Sequence, residues 1–279
     1  TAKPDAELRA RVPHRLIDIR DPANPYSVSE FLADASGEMA SITAAGRIPL
    51  LVGGTMLYFR ALLDGLTELP AACPEVRREL AQEAEAVGWP QLHARLAAID
   101  PATAAILHPN QAQRIQRALE IFALTGVPLS TFNKQRHHPG RGIPPISQHY
   151  RILQLTLVPR DRSRVHAAIA RRFQHMLELG LLDEVTRLYE RGDLAADLPA
   201  VRAVGYRQVW GFLAGAYGYH EMVARSLAAT RQLAKRQLTW LRNWDNAGVA
   251  ASLVLNPAEL SATDILTNSL RFMRTSPVY

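Results

Sequence analysis

The run RIPLLVGGTMLYFRALL, from Arg47 to Leu63, joins one apolar segment to another through a bare glycine pair. Ile48 to Val52 have the length and composition of a strand buried on both faces, as in a parallel sheet, and Gly53-Gly54 close it. Met56 to Leu63 then read as a helix. A preceding helix is predicted over Ser27 to Ala45, opened by a Ser27-x-x-Glu30 capping box and ended near Gly46. Helix, strand and helix in that order predict an α/β fold.

After Gly65 the pattern becomes helical, with proline and glycine as punctuation: PEVRRELAQEAEAVG, WPQLHARLAAID, PATAAILHPN and QAQRIQRALEIFALTG. Residues 67–137 are therefore predicted to be an all-helical insertion domain, and 1–66 with 138–279 the α/β core and its C-terminal helices. HHPGRGIPP reads as a loop and YRILQLTLV as a strand returning to the sheet. Beyond it, helices are expected over 161–179, 182–191, around 203–214 and from about 219 to 244.

With 279 residues, 48% of them hydrophobic, the chain can bury a substantial core. Cys73 is its only cysteine, which excludes an intramolecular disulfide and argues against a structural zinc site. No apolar run approaches the roughly 20 residues that span a bilayer, and TAKPDAELRARVPHR lacks a signal-peptide core. A cytoplasmic, monomeric protein is expected. The chain does not begin with methionine and is read as a fragment. A net charge of +6 favours polyanionic partners such as RNA or phosphorylated substrates.

A strand ending in Gly-Gly before a helix leaves backbone N–H groups and the positive helix end at the sheet edge, where α/β folds bind ligands. Thr55 can cap that helix or offer its hydroxyl to an anion. A tight strand-to-helix corner with a threonine cap explains the same residues. In DRSRVHAAIARRFQHMLELG, Arg172 falls within the apolar stripe of Val165, Ile169, Phe173, Met176 and Leu177. A guanidinium directed inward needs an anion, either a ligand phosphate or a carboxylate. Snorkelling to the surface is the alternative.

Arg114 and Arg117 stand one turn apart behind the capping sequence Asn110-Gln-Ala-Gln113, and Arg77-Arg78 stand on the preceding helix. Either group could grip a phosphate backbone or be a solvated helix face. LPAVRAVGYRQVW supplies Arg202, Gly205, Tyr206 and Arg207. The long helix VARSLAATRQLAKRQLTWLRNW carries a basic row of Arg231, Lys235 and Arg242, with Arg236 beside it and Trp240 and Trp244 one turn apart. Basic groups interleaved with aromatics suit phosphate contacts plus stacking on unpaired bases, while tryptophans equally serve a core. The histidines show no metal-ligand spacing, and Cys73 has no evident partner for nucleophilic chemistry.

Taken in order, TAKP, VPHRLIDIRDP, YSVSEF, LLVGGTMLYFRALLDGL, HPNQAQRIQRALEIF, VRAVGYRQVW and ATRQLAKRQLTWLRNW resemble the tRNA dimethylallyltransferase (tRNA isopentenyltransferase) family over most of the chain. The resemblance implies a P-loop-type parallel sheet flanked by helices. It also implies transfer of a dimethylallyl group from dimethylallyl diphosphate to N6 of the adenosine next to the anticodon, with Mg2+ assisting the diphosphate. Gly53, Gly54, Thr55 and Arg172 would then stand on the diphosphate side, with Thr55 and Arg172 as catalytic residues. The tRNA contacts would be Arg77, Gln113, Arg114, Arg117, Arg202, Gly205, Tyr206, Arg207, Lys235, Arg236, Trp240 and Arg242, with no metal ligand from the protein.

Members of that family carry a GPTAxGKT-like P-loop and an SVDSxQ-like segment with a general-base aspartate ahead of their GTAKP. This chain starts at TAKP, so the expectation for the polypeptide as written is a dead or severely impaired enzyme. Arg15 stands where the family often has a histidine. The alternatives are an adenylate isopentenyltransferase acting on free nucleotide, a noncatalytic RNA-binding fragment, and a P-loop kinase, which would need the Walker motif.

Overall fold

The computed structural model describes residues 1–134 and 142–276; the His137-His138 pair lies outside them. In chain order come α1 (Ala6–Arg11), α2 (Val28–Ala44), α3 (Met56–Asp64), α4 (Pro74–Val87), α5 (Trp89–Ile99), α6 (Pro101–Ile106), α7 (Ala112–Thr125) and α8 (Leu129–Lys134). They are followed by β1 (Leu153–Leu157), α9 (Arg162–Glu178), α10 (Leu181–Tyr189), α11 (Tyr206–Leu213), α12 (Tyr219–Arg242), β2 (Ala251–Leu255) and α13 (Ala262–Thr275). The packing divides into one unit of Thr1–Leu63 with His149–Tyr279 and another of Asp64–Gln148.

The first unit is α/β. β1 and β2 pair in parallel, with Leu153 opposite Ala251 and Leu157 opposite Leu255. Its helical core gathers Phe173 of α9, Leu181 and Val185 of α10, Val209 of α11 and Met222 of α12. α2 starts at the anticipated capping box: the Glu30 amide donates to the Ser27 hydroxyl at 3.2 Å and the Ser27 amide to the Glu30 carboxylate at 2.8 Å.

The segment before Gly53 corrects the sequence expectation. It belongs to no helix or strand among the described residues, and Ile48, Leu50 and Val52 are 60%, 80% and 83% exposed. Its composition suits a buried strand, but a strand exists only through ladder hydrogen bonds, and no neighbour among the described residues supplies them. The parallel sheet instead joins β1 to β2, a strand that periodicity did not single out.

Among the described residues, the regular structure of the second unit is helical apart from one bridge. Leu80 and Ala84 of α4, Leu92 and Leu96 of α5, Ala104 of α6, and Ile115, Ala118 and Leu119 of α7 form its core. Leu66 and Ile143 exchange backbone hydrogen bonds, both 2.8 Å, as an antiparallel bridge. Gly65 and Gly142 flank this clasp with φ of +73° and +90°. A Cβ on Gly142 would lie 2.1 Å from the Leu66 carbonyl oxygen, so only glycine fits there.

Candidate active site and nucleic-acid interface

Two sets of contacts hold the Gly53-Gly54-Thr55 turn. On one side Tyr58 of α3 stacks on Phe31 of α2, with ring centroids 4.2 Å apart, and its hydroxyl donates to the Tyr26 carbonyl at 3.4 Å. On the other the Gln237 side-chain amide of α12 donates to the Gly54 carbonyl at 3.0 Å. Arg60 reinforces this docking through Asp245, whose carboxylate is 3.8 Å away. A Cβ on Gly54 would sit 2.3 Å from the Gln237 amide nitrogen, so a larger residue there would push Gln237 aside.

The turn's own donors remain open. Among the described residues, the N–H groups of Gly53, Gly54 and Thr55 have no acceptor and the Thr55 hydroxyl has no partner. The Thr55 carbonyl accepts from the amides of Tyr58 at 2.9 Å and Phe59 at 3.4 Å, which starts α3. Thr55 thus initiates the helix with its backbone and leaves its exposed hydroxyl available. Successive free N–H groups beside a helix N-terminus attract an anion.

Arg172 departs from the inward-facing reading. It is exposed and has no ion-pair or hydrogen-bond partner among the described residues. The packed face of α9 centres on Phe173, and the neighbouring position, turned by about 100°, lies on the flank of that face. No contact joins Arg172 to Thr55. Both are related to α12, because Phe173 packs in the cluster containing Met222 and Leu227 while Gly54 meets Gln237.

The basic residues fall into two groups. Arg114, Arg202, Arg207, Lys235 and Arg236 are exposed without internal ion pairs, and Gln113 is exposed beside Arg114. Trp240 is 40% exposed, so it is not a core residue. Arg242 is exposed and turns back on α12, its guanidinium donating to the Leu238 carbonyl at 3.3 Å. Trp244 is half-buried, its indole N–H donating to Gln154 at 2.8 Å.

Four residues of the expected nucleic-acid set are engaged within the protein. Arg77 forks onto the fully buried Glu120 at 2.9 and 3.1 Å, and Arg117 reaches the same carboxylate at 2.6 Å. The Cys73 amide donates to it as well, at 2.8 Å. Gly205 is buried with φ of +96°, its amide donating to the Gln208 side chain at 2.9 Å. Half-buried Tyr206 donates its hydroxyl to Glu184, and burial and that carboxylate push the phenol well above its usual range.

Sequence reasoning missed Glu120 and Gln237. Glu120 did carry a signal, since a lone acid within the apolar run Ala118, Leu119 and Ile121 demands partners. Gln237 carried none.

Residues 1–244 match the IPP transferase family. The chain belongs to that family. Among IPP transferase relatives, the tRNA dimethylallyltransferase of Thioalkalivibrio sulfidiphilus (strain HL-EbGR7) is 55% identical over 262 residues, covering 94% of this chain and 80% of its own. The crystal structure of the full-length tRNA isopentenylpyrophosphate transferase from Bacillus halodurans is 34% identical with a TM-score of 0.61, covering 99% of this chain and 82% of that one. A eukaryotic dimethylallyltransferase captured crystallographically acting on tRNA is 22% identical with a TM-score of 0.76, covering 99% and 69%, and shares the IPP transferase fold. β2 and α13 lie beyond the matched residues.

Proposed function

We propose that the protein is a tRNA dimethylallyltransferase that alkylates N6 of the adenosine beside the anticodon, with dimethylallyl diphosphate as donor. The kinship to a tRNA dimethylallyltransferase at 55% identity carries this reading. The free donors of the Gly53-Gly54-Thr55 turn, held against a basic helix, support it.

In the reaction the N6 lone pair forms a bond to the allylic carbon, the carbon–oxygen bond to diphosphate breaks, diphosphate leaves with the electron pair and N6 releases a proton. An exocyclic amine is a weak nucleophile, so the barrier falls chiefly by stabilising negative charge on the departing diphosphate. The amides of Gly53 and Gly54 and the Thr55 hydroxyl are suited to that work at short range. Arg172, unpaired on a flexible side chain, is suited to close on the phosphates. Arg207, Lys235 and Arg236 supply phosphate contacts for the RNA, and Trp240 a stacking face for an unpaired base. The adenine leaves its stack to react, at a cost of a few kcal/mol that is lower in a loop than in a duplex.

Diphosphate chemistry commonly recruits magnesium. Among the described residues no group of three His, Cys, Asp or Glu side chains is placed to hold a metal, so the side chains do not fit a protein-built cage. Magnesium is proposed only as the companion of the diphosphate, and no step is assigned to it. No described helix is long and apolar enough to cross a membrane. A monomer working in the cytoplasm completes the reading.

The deciding assay supplies the full-length protein with dimethylallyl diphosphate and either an anticodon stem-loop or AMP, and follows the mass of each acceptor. Alkylation of the stem-loop is expected. Preferential alkylation of AMP would make the protein an adenylate isopentenyltransferase, and binding of the stem-loop without transfer would make it an RNA-binding protein.

Gln237 is a positioning residue in this scheme. Gln237→Ala removes the bond that seats Gly54 and is expected to lower kcat by about 10- to 100-fold, as misplaced reacting groups do. Affinity for tRNA and the melting temperature should stay put. A kcat within twofold of the parent would remove Gln237 from the scheme.

A further inference from the structure

Thr55 opens α3 and Arg172 lies on α9, and since the two do not touch, their alignment depends on what links those helices. α12 is the link, and it grips them at opposite ends. Met222, Val223 and Leu227, which pack in the cluster of Phe173, stand in its first third, whereas Gln237, which seats the Gly54 carbonyl, stands near its C-terminal end. From Met222 to Gln237 the helix rises about 22 Å, so a small tilt at the packed end becomes a large displacement at the turn.

Three consecutive residues hold that far end. The Trp244 indole N–H donates to the side-chain carbonyl of Gln154 on β1 at 2.8 Å, and the Gln154 amide donates to Asn246 and to Thr156, both at 3.3 Å. Between Trp244 and Asn246, Asp245 turns to α3, its carbonyl accepting from Arg60 at 3.5 Å. β1 and α3 are thereby fastened to the end of one helix. Four residues after β1 comes α9, started by Asp161, whose carboxylate accepts from the amides of Ser163 at 2.8 Å and Arg164 at 3.3 Å.

The chemistry of the partners fixes how the Gln154 amide points. An indole N–H only donates, so the Gln154 oxygen faces Trp244 and its nitrogen faces Asn246 and Thr156. The indole is thus the group that joins the turn-bearing end of α12 to the strand leading into the helix of Arg172.

We propose that Trp244 is a positioning residue for dimethylallyl transfer, aligning the Gly53-Gly54-Thr55 turn with Arg172 through Gln154 on one side and Gln237 on the other. The inference rests on the proposed function and on Thr55 and Arg172 as its catalytic residues. Trp244 touches neither substrate in this role.

The test measures single-turnover transfer by full-length protein with dimethylallyl diphosphate and an anticodon stem-loop. Trp244→Phe keeps an aromatic ring and removes the donor, while Gln154→Leu removes the acceptor from the other side. Each is expected to lower the rate about tenfold with affinity for the stem-loop within about twofold of the parent, because misaligned groups lose rate while binding persists. The double variant should lose no more than either single one, since both break the same bond. In an Arg172→Ala background Trp244→Phe should cost less than about twofold, whereas general loosening of the fold would slow transfer in any background. Full rate in Trp244→Phe, equal loss of rate and affinity, or a loss that persists undiminished beside Arg172→Ala overturns the positioning role. If the parent transfers the group and any of these is found, that role alone fails. A parent that transfers nothing to the stem-loop overturns the proposed function, and the role with it.

Discussion

Arg172→Ala is expected to lower kcat for dimethylallyl transfer by about 10²- to 10³-fold, the usual cost of deleting one group that stabilises charge developing in the transition state. The side chain is exposed and has no partner among the described residues, so its removal strands no internal charge and should leave the melting temperature unchanged. That separation makes the test clean. A catalytic Arg172 predicts a fall in turnover with tRNA affinity intact, and Arg172→Lys should recover part of it as a point charge without the fork. Full turnover in Arg172→Ala would place the diphosphate elsewhere and leave Arg172 a solvated surface residue.

Glu120→Ala has the second large effect, on stability. The buried carboxylate receives two bonds from Arg77, one from Arg117 and one from the Cys73 amide, tying α4, α7 and the segment before α4 together. Breaking a buried ion pair costs about 3 to 5 kcal/mol. Arg77 and Arg117 remain 43% and 28% exposed and can turn to water, so the lower end, about 3 kcal/mol, applies. Replacing both arginines should cost more, because it strands the buried charge. Hydrogen exchange of the α4 and α7 amides reads either loss, and unchanged protection in Glu120→Ala would reduce the cluster to ornament.

The same cluster sets a pH dependence. Burial pushes the Glu120 carboxyl up, but hydrogen bonds from Arg77, Arg117 and Cys73 outweigh burial and hold it below the usual glutamate value of 4.5. A folded value below the unfolded one means that the stabilisation is fully present above 4.5 and is lost as pH falls through the folded value. Acid should therefore loosen this helical unit below pH 4.5, with a shallower dependence in Glu120→Gln.

Local signals survived the passage from sequence to structure. The Ser27 and Glu30 capping box, the Gly-Gly-Thr entry to α3 and the period of α12 are all encoded within a few residues, and each element stands where it was read. Pairing was less legible. ASLVL is an apolar run too short to tell helix from strand, and its partner β1 lies almost a hundred residues earlier. Ile48 to Val52 show the converse, strand composition without a neighbour among the described residues.

The site divides in the same way. The free donors at Gly53 to Thr55 follow from chain geometry and were foreseeable. Arg172 fell within a stripe only because a period of three or four residues cannot separate the centre of a packed face from its flank. Arg117, one helical turn before Glu120, is within reach of a spacing rule, but Arg77 and Cys73 come from 43 and 47 residues away in the chain and no such rule names them.

The Leu66 and Ile143 clasp makes the two ends of the helical unit neighbours, whatever lies between them. A segment that leaves and returns through one doorway behaves as a cassette: its interior can lengthen, shorten or be exchanged while the doorway stays the same size, because closure entropy grows only slowly with loop length. Change in length or sequence between the two ends of the cassette therefore leaves the Leu66 and Ile143 pairing as it is.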